Sequence, residues 1–229
     1  MGDPLAPIKF GTSGWRGLIA HDFTFDRVRL ATQGIADYLK AERRKKTSPI
    51  ATRKPVVILG HDARFMGRDF SLAVAEILEA NGFTALLCEH DTPTPVISHT
   101  IRVRKALGGI NMTASHNPAE YIGFKLCRDQ AKPISGDDGI MDIEAMATAA
   151  TAPVPVAERG GLEEVEVMDG YIDHVLKWAD ISRPIMLASD AANGMAAHTF
   201  PHLLKRLPMV EHHGLFFEMD GTFPNHEAN

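Results

Sequence analysis

The chain reads as an α/β protein: a mainly parallel sheet sandwiched by helices, followed by the beginning of a similar second α/β domain. Three observations predict this. Short apolar runs of strand length alternate with longer segments whose apolar residues recur at helical spacing. The connections between them are short, as expected where helices cross from one parallel strand to the next and cover both faces of the sheet. After Thr151-Ala152-Pro153-Val154-Pro155, a stretch that breaks regular structure, the alternation starts again.

Each element has its own signal. Segment Phe25–Lys46 carries Val28, Ala31, Ile35 and Leu39 at helical spacing, which gives it one apolar stripe. Pro55-Val56-Val57-Ile58-Leu59-Gly60 has the pattern of a buried strand. Arg68–Asn81 is a second amphipathic helix, with Phe70, Val74, Ile77 and Leu78 inward and Gly82 as its C-terminal stop. Phe83–Cys88 is a strand, Pro95–Lys105 a helix, Leu107–Met112 a strand, and Ile122–Leu126 is strand-like. Asp137–Ala150 is a helix with Asp137 or Asp138 near its N-cap. Residues 1–152 are thus expected to form one domain and residues 153–165 a linker. Residues 166–229 are expected to begin a second domain. Its elements are a helix at Asp169–Asp180, a strand at Pro184–Asp190, a helix from Gly194 to about Leu207, and a strand within Met209–Met219. A sheet that has only begun leaves strand edges exposed, which favours self-association or association with a further C-terminal part.

Composition narrows the class further. An apolar fraction of 45% over 229 residues suits packed cores, and no segment is long and apolar enough to span a membrane. Met1-Gly2-Asp3-Pro4 has neither the basic-then-apolar order of a secretory signal nor a myristoylation pattern. The two cysteines, Cys88 and Cys127, sit in strand-like apolar surroundings and read as buried reduced thiols of a cytoplasmic protein. A net charge of −5 gives no reason to expect nucleic acid. The basic run Arg43-Arg44-Lys45-Lys46 falls at a helix's carboxyl end, where it complements the dipole.

Chemistry concentrates in Thr113-Ala114-Ser115-His116-Asn117-Pro118. It follows the strand Leu107–Met112 and ends in a sharp Asn-Pro break, so Ser115 lies in a tight turn past a strand's carboxyl end. Open α/β sheets place their ligands there. Taken alone, a Ser-His pair beside Asn-Pro is a turn whose short side chains bond the backbone. No Gly-x-Ser-x-Gly elbow supports a hydrolase triad. Gly108-Gly109 is not continued into a dinucleotide fingerprint. His198, His202, His212, His213 and His226 match no metal-ligand spacing and read as scattered polar positions.

The hexapeptide, continued by Ala119-Glu120-Tyr121 and by Gly123 and Lys125, resembles the active-site loop of the α-D-phosphohexomutases, the family that includes phosphoglucomutase and phosphomannomutase. Three further segments resemble that family in its own order. They are Lys9-Phe10-Gly11-Thr12-Ser13-Gly14-Trp15-Arg16-Gly17, Asp91-Thr92-Pro93-Thr94-Pro95 and Asp220-Gly221-Thr222-Phe223-Pro224-Asn225-His226.

The resemblance implies a phosphoserine at Ser115 that exchanges its phosphoryl group with a hexose phosphate. The 1- and 6-phosphates would interconvert through a bisphosphate, with glucose or mannose bisphosphate as activator. It implies Arg16 beside the phosphate, Lys125 as general acid or base, and His116 and Asn117 shaping the loop or bonding the phosphate. It also implies magnesium bridging the Ser115 phosphate and three aspartates of a loop, Asp-Gly-Asp-x-Asp-Arg, that does not occur in these residues. The segment is therefore expected to hold the phosphoryl-carrying part of a mutase and to be inactive alone. The alternative is a non-catalytic fragment that binds phosphate or sugar phosphate or serves in assembly. One residue departs from the family pattern: Ile122 stands where Asn is common. A β-branched residue resists the backbone angles that Asn tolerates, so a different local turn before Lys125 is expected.

Overall fold

The structure, a computed structural model, describes residues 7–12, 14–150 and 160–227, and at position 137 the backbone alone. The N-terminal Met1–Pro4, Ser13 and the boundary stretch 151–155 lie outside the described residues.

Among the described residues, six strands form the first sheet: β1 (Arg16–Leu18), β2 (Val56–His61), β3 (Thr84–Cys88), β4 (Gly108–Met112), β5 (Tyr121–Arg128) and β6 (Leu162–Val165). Their spatial order is β1-β5-β4-β2-β3-β6. The inner strands β4, β2 and β3 and the edge strand β6 run parallel, while β5 is antiparallel to both β4 and β1. The reversal follows from chain length. Only the residues between Met112 and Tyr121 join β4 to β5, too few for the crossover that parallel neighbours require.

Side chains alternate across the sheet and sort the helices between its faces. Val57, Leu59, Leu87, Ile110 and Phe124 face one way. They are covered by α1 (Phe25–Arg44), α2 (Gly67–Ala80) and α4 (Ile140–Ala149) through Val28, Ile35, Phe70, Val74 and Ile143. Ile58, Leu86 and Cys88 face the other way, onto Ile97 and Ile101 of α3 (Thr94–Arg104). Thr24 caps α1 by accepting from the Arg27 N–H, and Asp26 and Arg43-Arg44 complement the dipole at its two ends. Gly82 follows α2 with φ 81°, the left-handed conformation expected of its stop.

Four expectations are corrected. The linker expected at 153–165 includes an edge strand, since β6 pairs with β3 from Ala85–Leu162 to Cys88–Val165. Its exposed Glu163 and Glu164 suit a solvent-facing edge and hide the strand from an apolar pattern. Helix α4 starts at Ile140 after Gly139 at φ 104°, with no side-chain cap. Asp138 instead accepts from Ser135 and pairs with Arg128, 3.1 Å away. Cys88 is fully buried, its thiol pushed up to about 11 by desolvation, whereas Cys127 is only half-buried. Ile122 adopts regular strand geometry opposite Gly17 and is buried, so no unusual turn precedes Lys125.

The second unit contains α5 (Met168–Leu176), β7 (Ile185–Asp190), α6 (Ala196–Leu204) and β8 (Val210–Leu215). Strands β7 and β8 pair in parallel as a two-stranded sheet. Met168 and Ile172 of α5 pack on Val96 of α3 and join the unit to the first sheet's flank. No helix among the described residues is long and apolar enough to cross a membrane.

Candidate active-site loop at the strand ends

Three loops meet where β2, β3 and β4 end: His61–Arg64, Asp91–Pro95 and Thr113–Glu120. Ser115 sits at the tip of the third with φ 57°, exposed, and its own N–H donates to Thr113 Oγ1 at 3.0 Å. A non-glycine residue in the left-handed region is unfavourable unless its surroundings hold it there.

The holding group is Arg64. Its side chain is entirely buried, and its two terminal nitrogens donate to four carbonyls of the loop. Nη1 reaches Pro118 O at 2.7 Å and Tyr121 O at 2.9 Å; Nη2 reaches Ser115 O at 3.0 Å and Asn117 O at 2.6 Å. The planar fork of a guanidinium serves several acceptors at once, which a lysine ammonium cannot do in one plane. Asp62 completes the frame: Oδ2 accepts from Thr113 Oγ1 at 2.6 Å, Oδ1 accepts from the Arg64 N–H at 3.1 Å, and Arg64 Nε lies 3.5 Å from Oδ2. Burial raises the Asp62 pKa above the ordinary carboxylate value, although the Thr113 bond and Arg64 pull it down. The same burial lowers that of Arg64. Alongside, the buried His61 Nδ1 lies 2.9 Å from Asp91 Oδ1. Burial opposes its charge, but the bond to Asp91 and the Asp62 carbonyl outweigh that, and its pKa rises above 6.5.

The residues singled out from sequence divide between two cavities. Ser115 and His116 line one of about 320 Å³ between the two units, together with Thr94, Asn111 and Thr113. His116 Nδ1 lies 3.5 Å from Ser115 Oγ, at the limit of a hydrogen bond. Arg16 and Lys125 line a separate cavity of about 410 Å³ with Lys9, Gly11, Thr12 and Gly14. Asn117 connects the two groups, its Oδ1 accepting from Arg16 Nη1 at 2.8 Å. Lys125 stands opposite Asn111 in the β4–β5 register. On the other side, Gly123 lets Arg16 of β1 lie close against β5, since a Cβ there would overlap the Trp15 carbonyl and the Arg16 backbone. Sequence reasoning missed Asp62 and Arg64. Their one signal is the position of Asp62-Ala63-Arg64 directly after a buried strand, at the sheet's ligand-binding end.

Magnesium was expected at Ser115. Among the described residues, no three His, Cys, Asp or Glu side chains converge as ligands would. Ser115 alone does not compose a site for an ion that takes a full shell of oxygens. His198 meets two other imidazoles edge to face, His202 at 5.4 Å between ring centroids and His90 at 6.2 Å.

A family model described as phosphoglucomutase/phosphomannomutase, alpha/beta/alpha domain I, matches residues 7–153. A phosphomannomutase of Salmonella typhimurium is 36% identical over 176 residues, covering 74% of this chain and 38% of its own length. A protein of Xanthomonas campestris pv. campestris named phosphohexose mutases is 37% identical over 177 residues, with the same two coverages of 74% and 38%. The X-ray structure of a phosphoglucomutase/phosphomannomutase family protein of Burkholderia thailandensis superposes with a TM-score of 0.77 at 26% identity. The match covers 94% of this chain and 45% of that one. The chain thus spans roughly two fifths of the length of these curated relatives.

Proposed function

The chain belongs to the phosphoglucomutase/phosphomannomutase family, and on that premise we propose that Ser115 exchanges a phosphoryl group with a hexose phosphate, interconverting the 1- and 6-phosphates through a bisphosphate. The observation that carries this reading is the setting of Ser115. An exposed hydroxyl stands on a left-handed residue whose loop carbonyls are held by one buried guanidinium, and it faces a cavity large enough for a sugar phosphate.

Phosphoryl transfer asks a protein mainly for position and charge balance. As the bond from phosphorus to Ser115 Oγ breaks, a bond to a sugar hydroxyl oxygen forms, and that hydroxyl's proton passes to a base. The reverse transfer then takes phosphate from the other end of the bisphosphate. Lys125 is our candidate for the acid and base, and Arg16 for balancing the phosphoserine, which carries about −1.5 to −2 charges. Asn117 ties Arg16 to the loop that bears the phosphate. His116 Nδ1 lies 3.5 Å from the hydroxyl and is read as a phosphate hydrogen-bond donor. We further propose that residues 7–150 with β6 make up the phosphoserine-bearing unit, and that residues 166–227 open a second one.

Mass spectrometry after treatment with a hexose bisphosphate tests the central assignment. A mutase of its relatives' full length that carries this chain is expected to gain one phosphate, and its Ser115→Ala variant to gain none. A mass gain that persists in Ser115→Ala overturns it.

A further inference from the structure

The Asp220–His226 segment takes no part in the chemistry proposed above, yet it reaches the residue that holds the Ser115 loop. The Phe223 ring lies over the Arg64 guanidinium, 4.9 Å from its carbon to the ring centroid. We infer that Phe223 is a positioning residue: from the second unit it covers the face of the cation that holds the Ser115 loop, so that this segment acts as a latch between the two units.

Arg64 has two kinds of surface. Its Nη edge atoms are committed to the carbonyls of Ser115, Asn117, Pro118 and Tyr121, which leaves the flat face for a π system. A desolvated cation gains more from an aromatic face than an exposed one does, and this side chain is wholly buried. The ring is itself held in place. Phe223 has φ 52°, a region that a bulky residue occupies only where its surroundings impose it. Its N–H donates to Asp220 O at 3.0 Å, and Asp220 Oδ1 accepts from the N–H and hydroxyl of Thr222. The buried Asn193 anchors that turn, because its carbonyl accepts from the Asp220 N–H at 2.9 Å and its Oδ1 accepts from Asn225 Nδ2 at 2.8 Å. Gly221 lies so near Ala63 that a Cβ would overlap the Ala63 carbonyl, so the segment meets the Asp62–Arg64 turn closely. A displacement of the second unit would therefore uncover the Arg64 face and loosen the loop that carries Ser115. Its bearing on phosphoryl transfer rests on the function proposed above, but the contact itself does not.

Amide hydrogen exchange on the 229-residue protein reads this without turnover. The reporters are the N–H groups of Asn117 and Tyr121, bonded to Ala114 O and Pro118 O. In Phe223→Leu, which keeps apolar bulk but has no π face, these amides are expected to exchange roughly three- to thirty-fold faster. In Phe223→Tyr they are expected to keep the wild-type rate, and in Phe223→Trp to exchange more slowly. Amides of β7 and β8 are expected to be unchanged in all three. Loop exchange that is identical in the Leu and Trp variants overturns the inference. If the Leu variant also loses protection in β7 and β8, the second unit has unfolded and the Trp variant decides alone: slower loop exchange supports the latch, and an unchanged rate overturns it. Failure of the Ser115 assignment appears separately, as a phosphate mass gain that persists in Ser115→Ala.

Discussion

Replacing Arg64 with methionine keeps an apolar stem of similar reach and removes every donor that holds the Ser115 loop. Hydrogen bonds to a charged donor contribute about 1.5–3 kcal/mol each, so four of them set an upper bound of roughly 6–12 kcal/mol. Two effects reduce this. The freed carbonyls lie beside the exposed Ser115, His116 and Pro118 and can turn to water. Asp62, its pKa already raised by burial, can take up a proton once its cation is gone. Breaking a buried pair by removing one partner costs about 3–5 kcal/mol, and that is the expected loss. For a chain of this length it corresponds to a fall in Tm of about 6–20 °C. Urea unfolding followed by tryptophan fluorescence suits the measurement, since Trp15 is 3% exposed within the first unit's core while Trp178 is 80% exposed and reports little. Arg64→Lys, which keeps the charge without the fork, is expected to fall between wild type and Arg64→Met. A loss under about 1 kcal/mol in Arg64→Met would mean that the loop holds its shape without the guanidinium, and the account of Ser115 positioning would be refuted.

Two further outcomes are expected. Because the folded-state pKa of His61 lies above 6.5, its protonated pair with Asp91 stabilises the fold fully below that pH, and the contribution is lost as pH rises through the folded value. Denaturation midpoints should thus decline as pH rises past the ordinary histidine value and through the raised folded one, and lose that decline in Asp91→Asn; an identical pH profile in the two proteins would count against it. A coupled assay for interconversion of hexose 1- and 6-phosphates on the pure 229-residue polypeptide is expected to show no appreciable turnover, even with magnesium, since it spans about two fifths of the length of the curated relatives it matches. Robust turnover abolished by Ser115→Ala would refute that expectation.

Local chemistry alone determined much of this protein. Helices α1 to α3 and strands β2 to β4 were legible because their apolar spacing is a property of neighbouring residues. The tight turn at Ser115 was legible because Asn117-Pro118 follows closely on a strand. Tertiary structure decided what depends on residues far apart in sequence. Arg64 bonds carbonyls between 51 and 57 residues away, and Arg16 meets Asn117 at a separation of 101. Neither partnership leaves a trace in spacing or composition. Strand β6 was hidden for a related reason: an acidic edge strand has no apolar run of its own and exists because β3 offers unpaired backbone groups. The division of Ser115 and Lys125 between two cavities came from the sheet as a whole, where register places side chains and no local pattern records it.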